Sequence, residues 1–319
     1  MNIFVKKLLY IIVMLFIISL ISFIAINLAP NSFFASGELN PNITPEAIEQ
    51  LKAIYGLDKP LYIQFFSWIA NILQLDFGIS FASGEKVKEE ILSRIPITLT
   101  INIISMLLIF IISLYFGIKS ATKKNSFFDK FTNQLSLLSF SMPSFYLALV
   151  LVLIFSIKFE LFPIAGLHSV ANDGSFTYYL DFAWHLFLPI FIIVFGGIGS
   201  LILYIRALTI EILKSDYIFF ARARGLSQKT ILRYYILPNL YPPVITLLGL
   251  SLPGIIGGSV ILETIFSIDG MGLLFYQSAL SHDYPVIMGI LIIGAFLTLI
   301  GNMFADLVLL KLNPNYEEK

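Results

Sequence analysis

Long stretches without a single Asp, Glu, Lys or Arg alternate along this chain with short segments that hold most of its charge. The charge-free runs cover residues 8–37, 95–118, 131–157, 182–205, 234–262 and 284–305. About 20 apolar residues at about 1.5 Å each cross the hydrocarbon of a bilayer, and every run is long enough. The pattern predicts an all-α integral membrane protein with six transmembrane helices, near 8–29, 96–118, 133–156, 184–206, 242–262 and 286–310.

The first run follows Lys6 and Lys7 and therefore resembles a secretory leader. It is longer than the usual apolar core of about 7–15 residues, and no A-x-A site follows, so an uncleaved first helix is expected. The segment between the first two spans carries a second kind of pattern. Thr44, Pro45 and Glu46 read as N-cap, first helical residue and first-turn acid, with Gly56 as a stop. After Pro60, the residues Leu61, Phe65, Trp68, Ile69 and Ile72 share one helical face. Such a face caps the outer helix ends, rests on the bilayer interface or meets a partner.

The short loops differ in sign. Segment 119–130 holds Lys119, Lys123, Lys124 and Lys130, and segment 206–233 holds Arg206, Lys214, Arg222, Arg224, Lys229 and Arg233. Segments 158–181 and 263–283 hold Lys158 against Glu160, Asp173, Asp181, Glu263, Asp269 and Asp283. Basic loops stay in the cytoplasm, so both termini are expected there.

Composition agrees with this reading and removes several functions. Of 319 residues, 58% are hydrophobic and 13% charged, about half the charge of a soluble domain. Without cysteine there is no disulfide, thiol nucleophile or thiolate metal site. His168, His185 and His282 are far apart in sequence and form no ligand-spaced pair. No acid or base lies deep in a span, which argues against a proton-coupled carrier, although backbone and hydroxyl groups still offer sodium sites. No phosphate-binding loop is present; Gly117-Ile118-Lys119-Ser120 lacks the glycine before the lysine. Energy for any work is expected from outside the chain.

Residues 215–239 stand apart from the other loops. Tyr217 to Arg224 reads as a helix with small Ala221 and Ala223, Gly225 interrupts it, Ser227 caps a second helix through Ile236, and Pro238 marks the join to the fifth span. The element is either a surface another protein approaches or a solvated basic loop. Ala221-Arg222-Ala223-Arg224-Gly225-Leu226 followed by Leu237-Pro238-Asn239 resembles the EAA loop of ABC importer permeases. The wider chain is similar to the first permease of the dipeptide/oligopeptide/nickel importer family. The similar stretches include Tyr55 to Leu61, Leu75 to Ser80, Arg94 to Leu99, Glu263 to Ser267, Gly270 to Gly272, Asp283 to Val286 and Leu312 to Asn315. Phe219 stands where the general pattern has an acid, and Tyr235 where it has isoleucine.

The resemblance implies a type I (MetI-like) permease fold. Residues 1–30 would be the first helix and 31–94 an extracytoplasmic loop. Residues 95–311 would form a five-helix core with its coupling loop at 215–239, and 312–319 a cytoplasmic tail. It also implies a permease subunit of a bacterial inner-membrane importer of di- or oligopeptides, with nickel chelates or another small solute as the alternative cargo. Expected partners are a second homologous permease, two ATP-binding subunits and a substrate-binding protein. ATP and Mg²⁺ would sit on the partner subunits, with no cofactor or catalytic residue here. Ala221, Arg222, Ala223, Arg224, Gly225, Leu226 and Pro238 would couple to the ATPases. Pro253, Gly254, Gly257, Gly258 and Glu263 are candidates for a gate or pathway, the plain alternative being kinks and tight packing. A stand-alone transporter, a channel or a scaffold are the competing classes.

Overall fold

A computed structural model describes residues 3–28, 59–169, 175–255 and 259–312. It is helical, with an isolated antiparallel bridge between Ile79 and Lys86 among the described residues. The order is α1 (Ile3–Leu28), α2 (Leu61–Leu73), α3 (Val87–Thr122), α4 (Phe127–Ser141) and α5 (Ser144–Leu151), the last running into a π-helical segment, Val152–Lys158. Then come α6 (Phe176–Leu213), α7 (Asp216–Ala223), α8 (Gln228–Ile231) with a π segment Leu232–Ile236, and α9 (Leu237–Ser251) with a 3₁₀ turn Leu252–Ile255. α10 (Val260–Ile265), α11 (Met271–Leu280) and α12 (Tyr284–Leu312) close the chain.

Among the described residues, four helices are long and apolar enough to cross a membrane unbroken: α1, α3, α6 and α12. Counted as one broken span, the pair α4 and α5 with its π extension, bent by 99°, makes a fifth. Pro143 explains the bend. It lacks an N–H and drives Met142 into extended backbone (φ −90°, ψ 120°), which ends α4. The sixth predicted span, 242–262, is not an unbroken helix. α9 stops at Ser251, a 3₁₀ turn carries Pro253 and Gly254, and α10 is a short helix from Val260. The predicted count of six is thus not reached by continuous helices among the described residues. Gly257 and Gly258, the helix expected after Thr44, and the residues beyond Leu312 lie outside the described residues.

The chain forms two units, one of Met1–Thr98, Ile256–Val260 and Asp269–Ile300, the other of Leu99–Ile255, Ile261–Ile268 and Gly301–Lys319. In the first, Val87, Ile91, Met271, Leu274 and Val286 form a core against which Phe77 packs. Asp283 is buried and caps this core. It accepts hydrogen bonds from Ser80 Oγ (2.5 Å), the Phe81 amide (3.2 Å) and the Ala82 amide (3.1 Å). Thr98 Oγ1 accepts from the Met271 amide at 2.9 Å, and Arg94 pairs with Asp269 at 2.8 Å. On α2, Phe65 is buried beside Phe23 and Met288, with Trp68 and Ile69 packed on them, so this amphipathic face serves as a packing face. Leu61, expected on that face, is exposed.

In the second unit α4 and α6 lie close enough to exclude a side chain. A Cβ on Gly199 would sit 2.5 Å from the Ser136 carbonyl oxygen. Ser139 Oγ donates across the same contact to the Phe195 carbonyl. Small residues and hydroxyls are what apolar helices use to associate where lipid offers no hydrophobic contrast. Large apolar side chains are correspondingly exposed along α1 and α3, among them Leu9, Ile12, Ile21, Leu107 and Ile111. In water such surface would be a liability, but against lipid it is the expected exterior.

Candidate functional site

The element at 215–239 is built as a rigid turn. Asp216 lies in the first turn of α7, where a carboxylate complements the helix dipole. Ile218 and Ala221, three residues apart, point the same way and are buried with Ile231, Ile236 and Leu240. α7 ends on Gly225 at φ +77°, the left-handed region that a glycine enters without strain. The Leu226 amide donates to the Ala221 carbonyl (3.2 Å) and the Gly225 amide to the Arg222 carbonyl (2.9 Å). That pair of bonds is a Schellman closure, completed by Leu226 packing onto the core cluster that contains Ala221.

Ser227 then opens α8 as the sequence predicts, accepting from the Thr230 amide at 3.2 Å. The π segment Leu232–Ile236 comes just before Pro238. Proline donates no hydrogen bond and crowds the carbonyl four residues back, and a wider turn relieves both. The result is one continuous helical path from Gln228 to Ser251.

This geometry divides the candidate coupling residues. Ala221 is buried and Leu226 half-buried, so they hold the element to the body of the unit. Arg222, Ala223, Arg224 and Gly225 are exposed, as is Pro238. Phe219 and Phe220 join them, 68% and 62% exposed, in edge-to-face contact at 5.8 Å. Arg233 lies over the Tyr234 ring at 5.6 Å. Aromatic and arginine side chains are the types that carry most binding energy at interfaces. Phe219 is legible in the sequence as the residue replacing an acid; the neighbouring Phe220 is missed there because helical phase alone does not say which face is covered.

Beside the element lies a charged anchor that loop composition concealed. Arg206 on α6 donates from Nε to Asp129 Oδ1 (2.7 Å) and from Nη2 to Asp129 Oδ2 (2.9 Å). Asp129, buried at the start of α4, also accepts from the Asn125 amide (2.8 Å) and from Ser120 Oγ on α3. Three helices meet in one ion pair. α6 runs on from Arg206 to Leu213, and the Ser215 amide donates to Ile212 just before α7 begins.

The gate candidates are distributed. A Cβ on Gly254 would meet nothing within 4 Å, so tight packing does not account for this glycine. Pro253 lies in the 3₁₀ turn beside it. Asn102 Nδ2 donates to the Ile255 carbonyl at 2.7 Å and so satisfies a backbone group at the helix break. Glu263 is buried on α10. Two of the histidines that are distant in sequence do meet: His168 and His185 approach Asp181 at 3.8 and 3.4 Å.

Long apolar helices joined by an exposed basic and aromatic helix–turn–helix define a multi-pass α-helical membrane protein. A family model described as "Binding-protein-dependent transport system inner membrane component" matches residues 109–318, and the N-terminal model of the same system matches residues 1–102. The chain belongs to this family of transport-system membrane components. It is 35% identical over 301 residues to the oligopeptide transport system permease protein AppB of Bacillus subtilis (strain 168), covering 94% of each chain. It is 32% identical to the dipeptide transport system permease protein DppB of Lactococcus lactis subsp. cremoris (strain MG1363), covering 97% of each. A metal-staphylopine import system permease protein, CntB of Staphylococcus aureus (strain Mu50 / ATCC 700699), is 32% identical over 87% of this chain and 85% of its own. A solved chain of the MetNI methionine ABC transporter matches with a TM-score of 0.55 at 16% identity, over 70% of this chain and 96% of that one. That likeness is one of fold.

Proposed function

We propose that this chain is the transmembrane subunit of an ATP-driven importer of short peptides, working beside a second, related permease. Two separate ATP-binding subunits would supply the energy and an extracytoplasmic binding protein the cargo. The observation that carries the reading is the Schellman-closed α7, with Phe219, Phe220, Arg222 and Arg224 exposed on a rigid support. In this reading the basic loops and both termini face the cytoplasm.

The force path follows from packing. α7 rests on Ile218 and Ala221, which share a core with Ile236 and Leu240 at the entry to α9. Close-packed interiors transmit displacement instead of absorbing it. A push on α7 by an ATPase therefore reaches α9 and the helix break beyond Ser251. The Arg206–Asp129 pair ties α6 to α4 and supplies the fixed side of this lever.

Peptide cargo is supported by the oligopeptide and dipeptide permeases among the relatives, and a metal chelate by the CntB likeness. The test is reconstitution of the full complex in liposomes with labelled trialanine and a labelled nickel chelate as competing cargoes. The expected result is ATP-dependent, binding-protein-dependent uptake of trialanine. Uptake driven by an ion gradient without the ATP-binding subunits would overturn the proposal.

A further inference from the structure

The turn between α3 and α4 gathers positive charge that the fold leaves unpaired. Lys119 is already engaged: it donates to the Tyr115 hydroxyl at 2.6 Å and lies over the Phe128 ring at 4.5 Å. Lys123, Lys124 and Lys130 are exposed and make no ion pair among the described residues. The one acid between 119 and 130 is Asp129, and Arg206 holds both of its oxygens. Three positive charges therefore stand beside the positive end of the α4 dipole.

Both helices set this charge at the edge of their apolar runs. The charge-free run in α3 ends at Ile118, and the run in α4 begins at Phe131. Lys123 and Lys124 stand within two turns of the first edge, and Lys130 borders the second. At about 1.5 Å per residue that is about 10 Å or less from hydrocarbon, close to the depth of a headgroup layer. Aromatic side chains occupy the same level. Phe127, the first residue of α4, is 86% exposed, and Phe131 shares its face one turn on. Leu137 and Leu138 are exposed further along α4, whereas its other side buries Asp129, Thr132, Ser136 and Ser139. Large apolar side chains outward and small polar ones inward is the arrangement of a helix bordered by lipid. The turn is also preformed. Ser126 accepts from the Asp129 amide at 3.2 Å, and Asn125 stands at φ +66° with its amide held by the Asp129 carboxylate.

We propose that this turn binds the phosphate of an anionic phospholipid, with Lys123, Lys124 and Lys130 as counter-charges and Phe127 and Phe131 at the level of the upper acyl chains. A lipid fits better than an acidic soluble protein, because the lysines share their surface with side chains suited to hydrocarbon. Lysine stems cross such a boundary and keep the ammonium in the headgroup layer. Juxtamembrane lysines attract anionic lipid in the same way. The proposal depends on the chain lying in a membrane, and not on its cargo or energy source. A lipid held here fastens the bilayer to the turn that Asp129 ties to α6.

The chain has no cysteine, so a single thiol places a reporter at the turn. Phe127→Cys in the full chain is labelled with bimane and reconstituted in phosphatidylcholine nanodiscs. A minor fraction of the lipid carries brominated acyl chains, as either phosphatidylglycerol or phosphatidylcholine, and bromine quenches bimane at short range. Brominated phosphatidylglycerol is expected to quench several-fold more than brominated phosphatidylcholine at the same mole fraction. Replacing the lysines together, by Lys123→Gln, Lys124→Gln and Lys130→Gln, should abolish that preference, each lysine accounting for about a fivefold change in binding. Arg222→Gln with Arg224→Gln, on α7, should leave it in place.

Equal quenching by the two lipids in the chain with all its lysines would overturn the proposal. A preference that survives the three lysine substitutions would overturn it too. Equal loss in the α7 variant would make the effect a diffuse positive field and not a site, with the same consequence. Quenching by neither lipid would place the turn in water or against a protein partner, and would also overturn it.

Discussion

Asp129 and Arg206 pair across 77 residues of sequence, and no spacing rule connects them. In the sequence, Arg206 reads as one positive charge among several that set orientation. Its planar fork, set against a carboxylate already held by Ser120 and the Asn125 amide, gives it a second role. Asp129→Asn leaves the guanidinium without its counter-charge and should destabilise the chain by about 3 kcal/mol. Thermal unfolding of the purified protein in detergent checks this, and an unchanged midpoint would show that water already screens the pair. Gly199 is equally silent in sequence, because small residues in apolar helices are common. Its contact with the Ser136 carbonyl leaves no room for a side chain. Gly199→Leu should prevent α4 and α6 from packing and lower the yield of folded protein. Gly225 is the opposite case: a glycine after an amphipathic stretch announces a helix stop, and the positive φ bears that out.

Helices were legible to the extent that charge-free runs mark them, and their ends and breaks less so. α3 and α6 extend beyond the apolar runs at both ends, to Val87–Thr122 and Phe176–Leu213. Intrahelical hydrogen bonding continues into polar residues after the bilayer requirement has ended. Proline alone did not mark the breaks. Pro143 ends α4 and turns the chain by 99°, whereas Pro96 and Pro189 lie inside unbroken helices. Neighbouring helices decide whether the freed backbone groups are tolerated, and a single sequence does not carry that information. In α7 the division between buried Ile218 and Ala221 and exposed Phe219 and Phe220 gives a prediction at this scale. Phe219→Ala and Phe220→Ala should each weaken capture of the ATP-binding subunits by about tenfold or more, as measured by co-purification at graded subunit concentration. Retained capture by both variants would shift the contact to the arginines.

Across the whole chain, the family-like stretches look unrelated when read in order. The structure gives some of them a common purpose. Phe77, Ser80, Thr98, Met271, Asp283 and Val286 come from separate stretches and meet in the first unit as one core and its polar cap. That convergence is a packing relation and could not be read from spacing. Asp283→Ala removes the acceptor for Ser80, Phe81 and Ala82 at once. It should cost about 3 kcal/mol while leaving the second unit's Arg206–Asp129 contact intact. Hydrogen exchange resolved by segment would show loosening confined to residues 76–91 and 269–290.

In the proposed function an external ATPase drives this chain through the turn at Gly225. Gly225→Val forces a β-branched residue into a left-handed conformation, a strain of about 1–2 kcal/mol. The direct measurement is substrate-stimulated ATP hydrolysis by complexes matched for subunit content, with and without this substitution. Drive through Gly225 predicts that stimulation falls about tenfold. Full stimulation in a normally assembled Gly225→Val complex would contradict it.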